Sequence, residues 1–362
     1  MEAINEEIIL NSLKQIIDPD LGKDIVSLGF VRDVKINGPK VSLRIVLTTP
    51  ACPVKDQMKK RAEEILLSIE GISEVVVSMD SEVPKGRGIN TAPALDRIKN
   101  IIAVSSGKGG VGKSTVAVNI ACSLAAEGAK VGLMDADIYG PNVPLMLGAA
   151  GNQPEIAQNK LIPIEAYGLK MISMALLVPP DKPMILRGPM LHGVIRQFLT
   201  DVEWGDLDYL IVDMPPGTGD AQLSLAQLVP VQGAVLVTTP QDVSAADVRR
   251  AYRMFETVNV PVLGIIENMS YFIAPDTGKR YDIFGKGGGE KLAAEFGIEL
   301  LGQIPLGEAI SSAGDAGKPV VISNPDSIQA LALKRAAEEI ARRVSIEAMR
   351  KDFVVIKRAK QQ

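Results

Sequence analysis

The chain has 362 residues and a mass of 38.6 kDa, enough for about two domains at roughly 150 residues each. It is 46% hydrophobic and 23% charged, with a formal net charge of −4 and a pI near 5.4, so it lacks the general basic field that holds nucleic acid. Two cysteines exclude a disulfide framework and favour a reducing compartment. The acidic start MEAINEEIIL is unlike a signal peptide, and no apolar run approaches the roughly 18 residues of a membrane span, so a soluble, cytoplasmic protein is expected.

Residues 1–80 read as a small α/β unit. EEIILNSLKQI has apolar residues at helical spacing. FVRDVKI and KVSLRIVL are strand-like, with Asn37-Gly38 between them as a dipeptide suited to a tight hairpin turn. VKDQMKKRAEEILLSI is an amphipathic helix and EVVVSM a closing strand. Cys52, in TTPACPVKD, falls between the second strand and the second helix. A thiol close to a helix N-terminus is expected to be favoured as thiolate. Residues 81–98, rich in Pro and Gly, read as a linker.

From 99 to 345 the pattern alternates. NIIAVSS, AKVGLMDAD, DYLIVDMP, GAVLVTTP and PVLGIIENM are short, nearly continuous apolar runs, most of them separated by helical patterns. Strands buried on both faces look like this in a mostly parallel sheet with helices on each side. The chemistry is then expected beyond the carboxyl ends of the strands. Residues 346–362 form a tail.

NIIAVSS runs directly into GKGGVGKST, and Gly107 to Ser114 fit G-x-x-x-x-G-K-[ST] between a strand and a helix. Gly107, Lys108, Gly109, Gly110, Val111, Gly112, Lys113, Ser114 and Thr115 are therefore the candidate ATP-binding loop. The glycines let backbone amides and a helix N-terminus face phosphate. Lys113 reaches the β- and γ-phosphates, and the Ser114 hydroxyl ligates Mg²⁺. Two strands end in carboxylates, at Asp135 with Asp137 and at Asp213; Asp135 and Asp213 suit the Mg²⁺ shell, partly through water.

The extra lysine in K-G-G-x-G-K resembles the deviant phosphate loop of the MinD/ParA class. That resemblance implies that Lys108 reaches across a nucleotide-sandwich homodimer, that Asp137 orients the attacking water, that the Gly217 amide meets the γ-phosphate and that Asn268 reads the adenine. GKGGVGKST, DADIYGPNVP, RGPMLHGVIRQFL, DYLIVDMPPGTGD, TTPQDVSAADVRR, ENMSYFIAPDTGKRYDIFGKGGGEKLA and IPLGEAI together resemble the Mrp/ApbC family of iron–sulfur cluster carrier ATPases. DPDLGKDIVSLG and TTPACPVKD resemble the PaaD/SufT-like domain often fused ahead of it. The resemblance implies a P-loop NTPase fold, slow ATP hydrolysis, a homodimer, and delivery of [4Fe–4S] clusters to apo iron–sulfur proteins alongside cluster assembly proteins.

One departure matters. Many members carry C-x-x-C after ENMSYF, and here those positions are Ala274 and Thr277. Cys52 becomes the candidate iron–sulfur ligand, because Cys122 lies in a small-residue helix behind the phosphate loop and reads as core. His192, the one histidine, reads as a helix residue, and Asp18 and Asp20 as turn residues. GKGGGEK at 285–291 reads as a switch-facing loop. The basic tail RKDFVVIKRAKQQ reads as a packed or frayed end rather than a membrane anchor. A cluster-free positioning or partner-binding ATPase of the MinD/ParA kind is the competing expectation.

Overall fold

Asn5 opens the first helix: its side chain accepts from the Ile8 N–H at 2.9 Å, a standard N-cap bond, and α1 runs Glu6–Leu13. This is a computed structural model, and it describes residues 4–86, 95–137, 140–177, 188–217 and 220–359. The chain divides into two units, one formed by residues up to Pro84 with those from Ala341 onward, the other by Lys85–Ile340.

In the first unit, strands β1 (Val31–Asn37) and β2 (Lys40–Leu47) pair antiparallel. Asn37 pairs with Lys40, so the turn centres on Gly38-Pro39 and not on Asn37-Gly38. Gly38, at φ +60°, takes the position that a glycine-first hairpin needs. Asn37 stays in the ladder because Pro39, with its fixed φ, supplies the second turn position. Helix α2 (Lys55–Leu67) then crosses to β3 (Glu74–Ser81), which runs parallel to β2. Ile9, Leu13, Phe30, Ile45, Leu66 and Val77 fill the space between helices and sheet. Asp18 Oδ1 accepts from the N–H groups of Asp20 and Leu21, both at 2.9 Å, which makes the expected turn.

The second unit is built on β4 (Ile98–Ser106), a strand buried along almost its whole length. After it come α3 (Lys113–Ala126), β5 (Val131–Asp135), the short α4 (Val143–Met146), β6 (Ile164–Ala166), β7 (Leu169–Ser173) and α5 (Gly188–Thr200). Next are β8 (Leu207–Asp213), α6 (Asp220–Leu228), β9 (Gly233–Thr238), α7 (Asp242–Thr257) and β10 (Val262–Glu267). The series closes with α8 (Gly288–Phe296), β11 (Glu299–Gln303), α9 (Glu308–Asp315), α10 (Val320–Ser323) and α11 (Ile328–Ala359). The sheet order is β6-β7-β5-β8-β4-β9-β10-β11, parallel except for the edge strand β6.

The five apolar runs are the five central strands. Strands β7 and β11 extend the sheet beyond what the sequence suggests: LKMIS carries a lysine, and ELLGQ is only partly buried. Residues Ile101 and Ala103 of β4 face the core made with α5–α8, including Phe198, Leu225, Phe255 and Leu292. Helix α3 packs on the other side, with Val116 and Ile120 fully buried.

Of the expected linker, residues 87–94 lie outside the described residues. The tail begins inside α11, which runs unbroken past residue 346; the side chains of 350–362, including FVVI, are outside the description as well. No helix among the described residues is long and apolar enough to cross a membrane.

Phe255 is fully buried where α7 meets the sheet. Phe255→Ala is expected to cost about 3–5 kcal/mol. The check is denaturant unfolding followed by Trp204, the one tryptophan, which lies buried in this second unit.

Candidate functional site

The order of the sheet makes the site. Strands β4 and β5 are consecutive in sequence, yet β8 lies between them, and β9 continues on the far side of β4. The chain reverses direction across β4, and ligands of such sheets bind beyond the strand ends at that point.

The loop Gly107–Gly112 joins β4 to α3 there. Gly110 and Gly112 have φ of +78° and +80°, a region that costs a residue with Cβ. A Cβ on Gly107 would sit 2.3 Å from the Asp247 backbone, and one on Gly112 would sit 2.2 Å from Asn268 Nδ2. Val111 is buried as the loop's anchor. Gly112 caps α3 without a side-chain hydrogen bond, so the first N–H groups of a 14-residue helix point outward as an anion cradle. Lys108 and Gly109 form its outer arm, where the Lys108 carbonyl accepts from Ser106 Oγ at 2.9 Å.

Strand register builds the carboxylate row. Ser173 pairs with Asp135, and Asp135 with Asp213, across three adjacent parallel strands. Both aspartates are fully buried. Lys113, 6% exposed, places Nζ 2.6 Å from Asp213 Oδ1, 3.2 Å from Ser114 Oγ and 3.8 Å from Asp137 Oδ2. Asp135 accepts from Ser173 Oγ at 2.9 Å and from the Asp137 N–H at 3.1 Å. Burial, then the neighbouring Asp213 charge, pushes the Asp135 carboxyl up to about 8.

Asp213 Oδ2 is buried with no hydrogen-bond partner. A buried acceptor left so is costly, and a cation with its water shell would satisfy it. The donor set fits Mg²⁺: one serine hydroxyl and buried carboxylates beside a phosphate cradle, rather than an all-protein cage. Among the described residues no group of three or more His, Cys, Asp or Glu stands together to hold a metal.

Beside the loop lies a cleft of about 440 Å³, lined by Gly112, Thr115, Asn142, Asn268, Met269 and Asp315 among others. Its size suits a nucleoside. Asn268, at the end of β10, donates from Nδ2 to the Val111 carbonyl at 2.9 Å, so its amide pins the loop from behind. Gly217, at φ +98°, donates its N–H to the Ser106 carbonyl at 3.2 Å. Residues 218–219 of DMPPGTGD and 138–139 of DADIYG lie outside the described residues. Of the segment 285–291, expected as a loop, residues 288–291 form the first turn of α8, which packs on Pro240 and Glu267: the Gly289 N–H donates to Glu267 Oε2 at 2.6 Å, and a Cβ on Gly288 would meet the Pro240 carbonyl oxygen.

Cys52 lies in the first unit, two residues before the α2 N-cap Val54. It shares a small cavity with Asp18, Thr49, Arg342 and Ser345. Here the structure corrects the sequence-based expectation. Burial pushes the thiol up, and the charges of Asp18 and Asp20 add to it, outweighing the N–H groups of Val54 and Lys55 that pull it down. The helix start is present, but desolvation wins. Cys122 is fully buried in α3, its thiol pushed up to about 12 by burial. Ala274 and Thr277 sit in a turn where the Gly278 N–H donates to the Ala274 carbonyl. His192 is half-buried on α5.

Ser173 and Glu267 also belong to this neighbourhood; Ser173 lies outside every quoted motif, and Glu267 opens the ENMSYF segment without a role read from it. Glu267, fully buried, accepts from Ser270 Oγ at 2.5 Å as well as from Gly289, and so fixes the strand end that presents Asn268.

Residues 97–341 match the family described as NUBPL iron-transfer P-loop NTPase, and residues 6–79 match the family described as iron-sulfur cluster assembly protein. The chain belongs to the iron-transfer P-loop NTPase family. It is 51% identical to an iron-sulfur cluster carrier protein of Synechocystis sp., over 96% of this chain and 99% of that one. It is 48% identical to a chloroplastic Fe-S cluster assembly factor of Arabidopsis thaliana, covering 89% of this chain but 60% of that protein. Among solved structures, a nucleotide-binding protein of Archaeoglobus fulgidus in complex with ADP aligns with TM-score 0.57 and 41% identity, over 62% of this chain and 89% of that one. The cell division ATPase MinD of Pyrococcus furiosus, 24% identical over 67% of this chain and 98% of its own, shares the fold at TM-score 0.51.

The Cys52 environment has a direct readout. Iodoacetamide alkylation of the native protein is expected at Cys52 alone, with a pH midpoint above that of an ordinary thiol. A midpoint at or below that value would overturn the dominance of burial over the helix start.

Proposed function

We propose that this chain is an Mg·ATP-dependent carrier or assembly factor for iron–sulfur clusters. It hydrolyses ATP slowly and hands [4Fe–4S] clusters to apo-proteins through a nucleotide-dependent homodimer. The observation that carries the reading is a phosphate cradle whose lysine, Lys113, is held 2.6 Å from the buried Asp213, in a chain of the iron-transfer family. The same reading takes 1–80 as a PaaD/SufT-like small α/β domain, 81–98 as linker, 99–345 as the ATPase and 346–362 as tail. It takes apo iron–sulfur proteins and cluster assembly proteins as partners in the cytoplasm, without nucleic acid or stable membrane association.

The protein's part in hydrolysis is positioning and electrostatics. The amides of residues 109–115 receive the phosphates, with Gly107 and Gly112 keeping the backbone close. A triphosphate would compete with Asp213 for the Lys113 ammonium. Ser114, Asp135 and Asp213 would hold Mg²⁺, the carboxylates partly through water, and the ion would supply charge neutralisation at the phosphates. Asp137 holds the attacking water, the Gly217 amide turns from the Ser106 carbonyl to the γ-phosphate, and Asn268 borders the base. Lys108, on the outer arm of the loop, adds a cation at the partner's phosphates, where charge develops. Lys108→Ala is expected to bind ATP and to lose most turnover, on the scale of the roughly 10³–10⁵-fold worth of an arginine finger. Unchanged turnover would remove the cross-dimer role.

The cluster is cargo. Anaerobic reconstitution with iron and sulfide is expected to load the wild-type dimer and not Cys52→Ser. A cluster-free positioning or partner-binding switch is the second reading, favoured by Ala274 and Thr277 where thiols would stand. Iron-free wild type after reconstitution selects it.

A further inference from the structure

Gln222, on α6, is 1% exposed and uses its whole amide donor inside the protein. Nε2 donates to Ser105 Oγ at 2.8 Å and to the Pro215 carbonyl at 2.7 Å. Ser105 stands two residues before Gly107 on β4, and Pro215 two residues after Asp213. One side chain thus bridges the two segments that converge on Lys113. Because the Pro215 carbonyl can only accept, the orientation of the amide is fixed. Oε1 is then left buried with no hydrogen-bond partner.

The bridge lies where the backbone ties are interrupted. The segment after Asp213 is tied to the end of β4 by the Met214 N–H to the Val104 carbonyl at 3.0 Å, and by the Gly217 N–H to the Ser106 carbonyl at 3.2 Å. Between them stand Pro215 and Pro216, which have no N–H to give. Gln222 supplies a side-chain donor at the point where the backbone series is interrupted. It does so at the cost of an unsatisfied acceptor, which a purely structural apolar residue of similar size would avoid.

We propose that Gln222 is a positioning residue for the nucleotide chemistry. It holds Pro215, and with it Asp213 and Gly217, in register with the phosphate loop, without touching nucleotide itself. The proposal rests on the ATPase reading above and deepens it. Binding depends on Lys113 and the loop amides, which Gln222 does not contact. Turnover depends on where Asp213 and Gly217 stand, so the residue acts on the rate.

The test compares full-length wild type, Gln222→Leu and Ser105→Ala. The readouts are affinity for a fluorescent ATP analogue, steady-state ATP turnover, and hydrogen exchange of the 207–217 segment. Gln222→Leu is expected to keep nucleotide affinity and KM within about threefold, to lose at least about tenfold in kcat, and to exchange the Gly217 amide faster, since misplacement on the order of 1 Å is felt as rate. Ser105→Ala removes one anchor and keeps the Pro215 contact, and its kcat is expected to fall less, by about two- to threefold. The proposal is overturned if Gln222→Leu turns over within about twofold of wild type, or if affinity and kcat fall together. Should Gln222→Leu not fold, Ser105→Ala decides: faster Gly217 exchange with reduced kcat supports the bridge, and wild-type behaviour in both overturns it. A wild type without turnover overturns the ATPase reading instead, and the exchange comparison then judges Gln222 alone.

Discussion

The second unit depends on one buried contact, Lys113 on Asp213. Taking two ions out of water costs several kcal/mol each, and mutual attraction repays that only with good geometry and further hydrogen bonds. The contact has the geometry, at 2.6 Å, but not the full complement of bonds, because Asp213 Oδ2 is unpartnered. As a device for stability the pair is poor. As a way of keeping a cation at a phosphate cradle it works, because it holds Lys113, the first residue of α3, at the end of the phosphate loop. The surroundings bear the cost: Asp135, fully buried beside it, is driven towards its neutral form by burial and by Asp213.

Sheet topology turns that contact into a site. A parallel register sets Ser173, Asp135 and Asp213 side by side, and the crossover through α3 brings the phosphate loop over the same strand ends. The loop is then held from several sides. Asn268 holds the Val111 carbonyl, and Gly112 fits only because it has no Cβ to strike that amide. The α7 backbone closes on Gly107. These are rigid constraints on the backbone, so exchange of partners falls to the Lys113 side chain.

The phosphate loop and its carboxylates were legible in the sequence because their chemistry demands fixed spacing next to fixed elements: glycines where φ is positive, a lysine at the helix start, aspartates at the ends of apolar runs. Ser173 was not legible. It lies at the end of LKMIS, a strand without a continuous apolar signature, and its role comes from register with Asp135, a relation between strands that no single run contains. The sequence places the hairpin turn one residue early because Asn-Gly is the stronger local signal, while Pro39 decides the turn. Cys52 shows the deeper limit. Proximity to a helix start can be read from sequence, but the burial that outweighs it cannot, since Asp18, Arg342 and Ser345 come to the same cavity from segments far apart in the chain.

Ligand arithmetic constrains any cargo. A [4Fe–4S] cluster takes four protein thiolates in its usual setting, and this chain has two cysteines. Cys122 is fully buried within α3 with a thiol that resists ionisation at any physiological pH. Ala274 and Thr277 supply none. One thiol per chain remains, and burial shifts it towards the protonated form. The homodimer proposed above would bring at most two such thiols, each of which would have to lose its proton as iron binds, and the other iron positions would fall to ligands from another molecule. Metal binding that must release protons from raised-pKa thiols is weakened accordingly, and a half-ligated cluster exchanges readily with a recipient that offers a full set. Weak, shared ligation is a poor basis for a resident cofactor and a sound one for transfer.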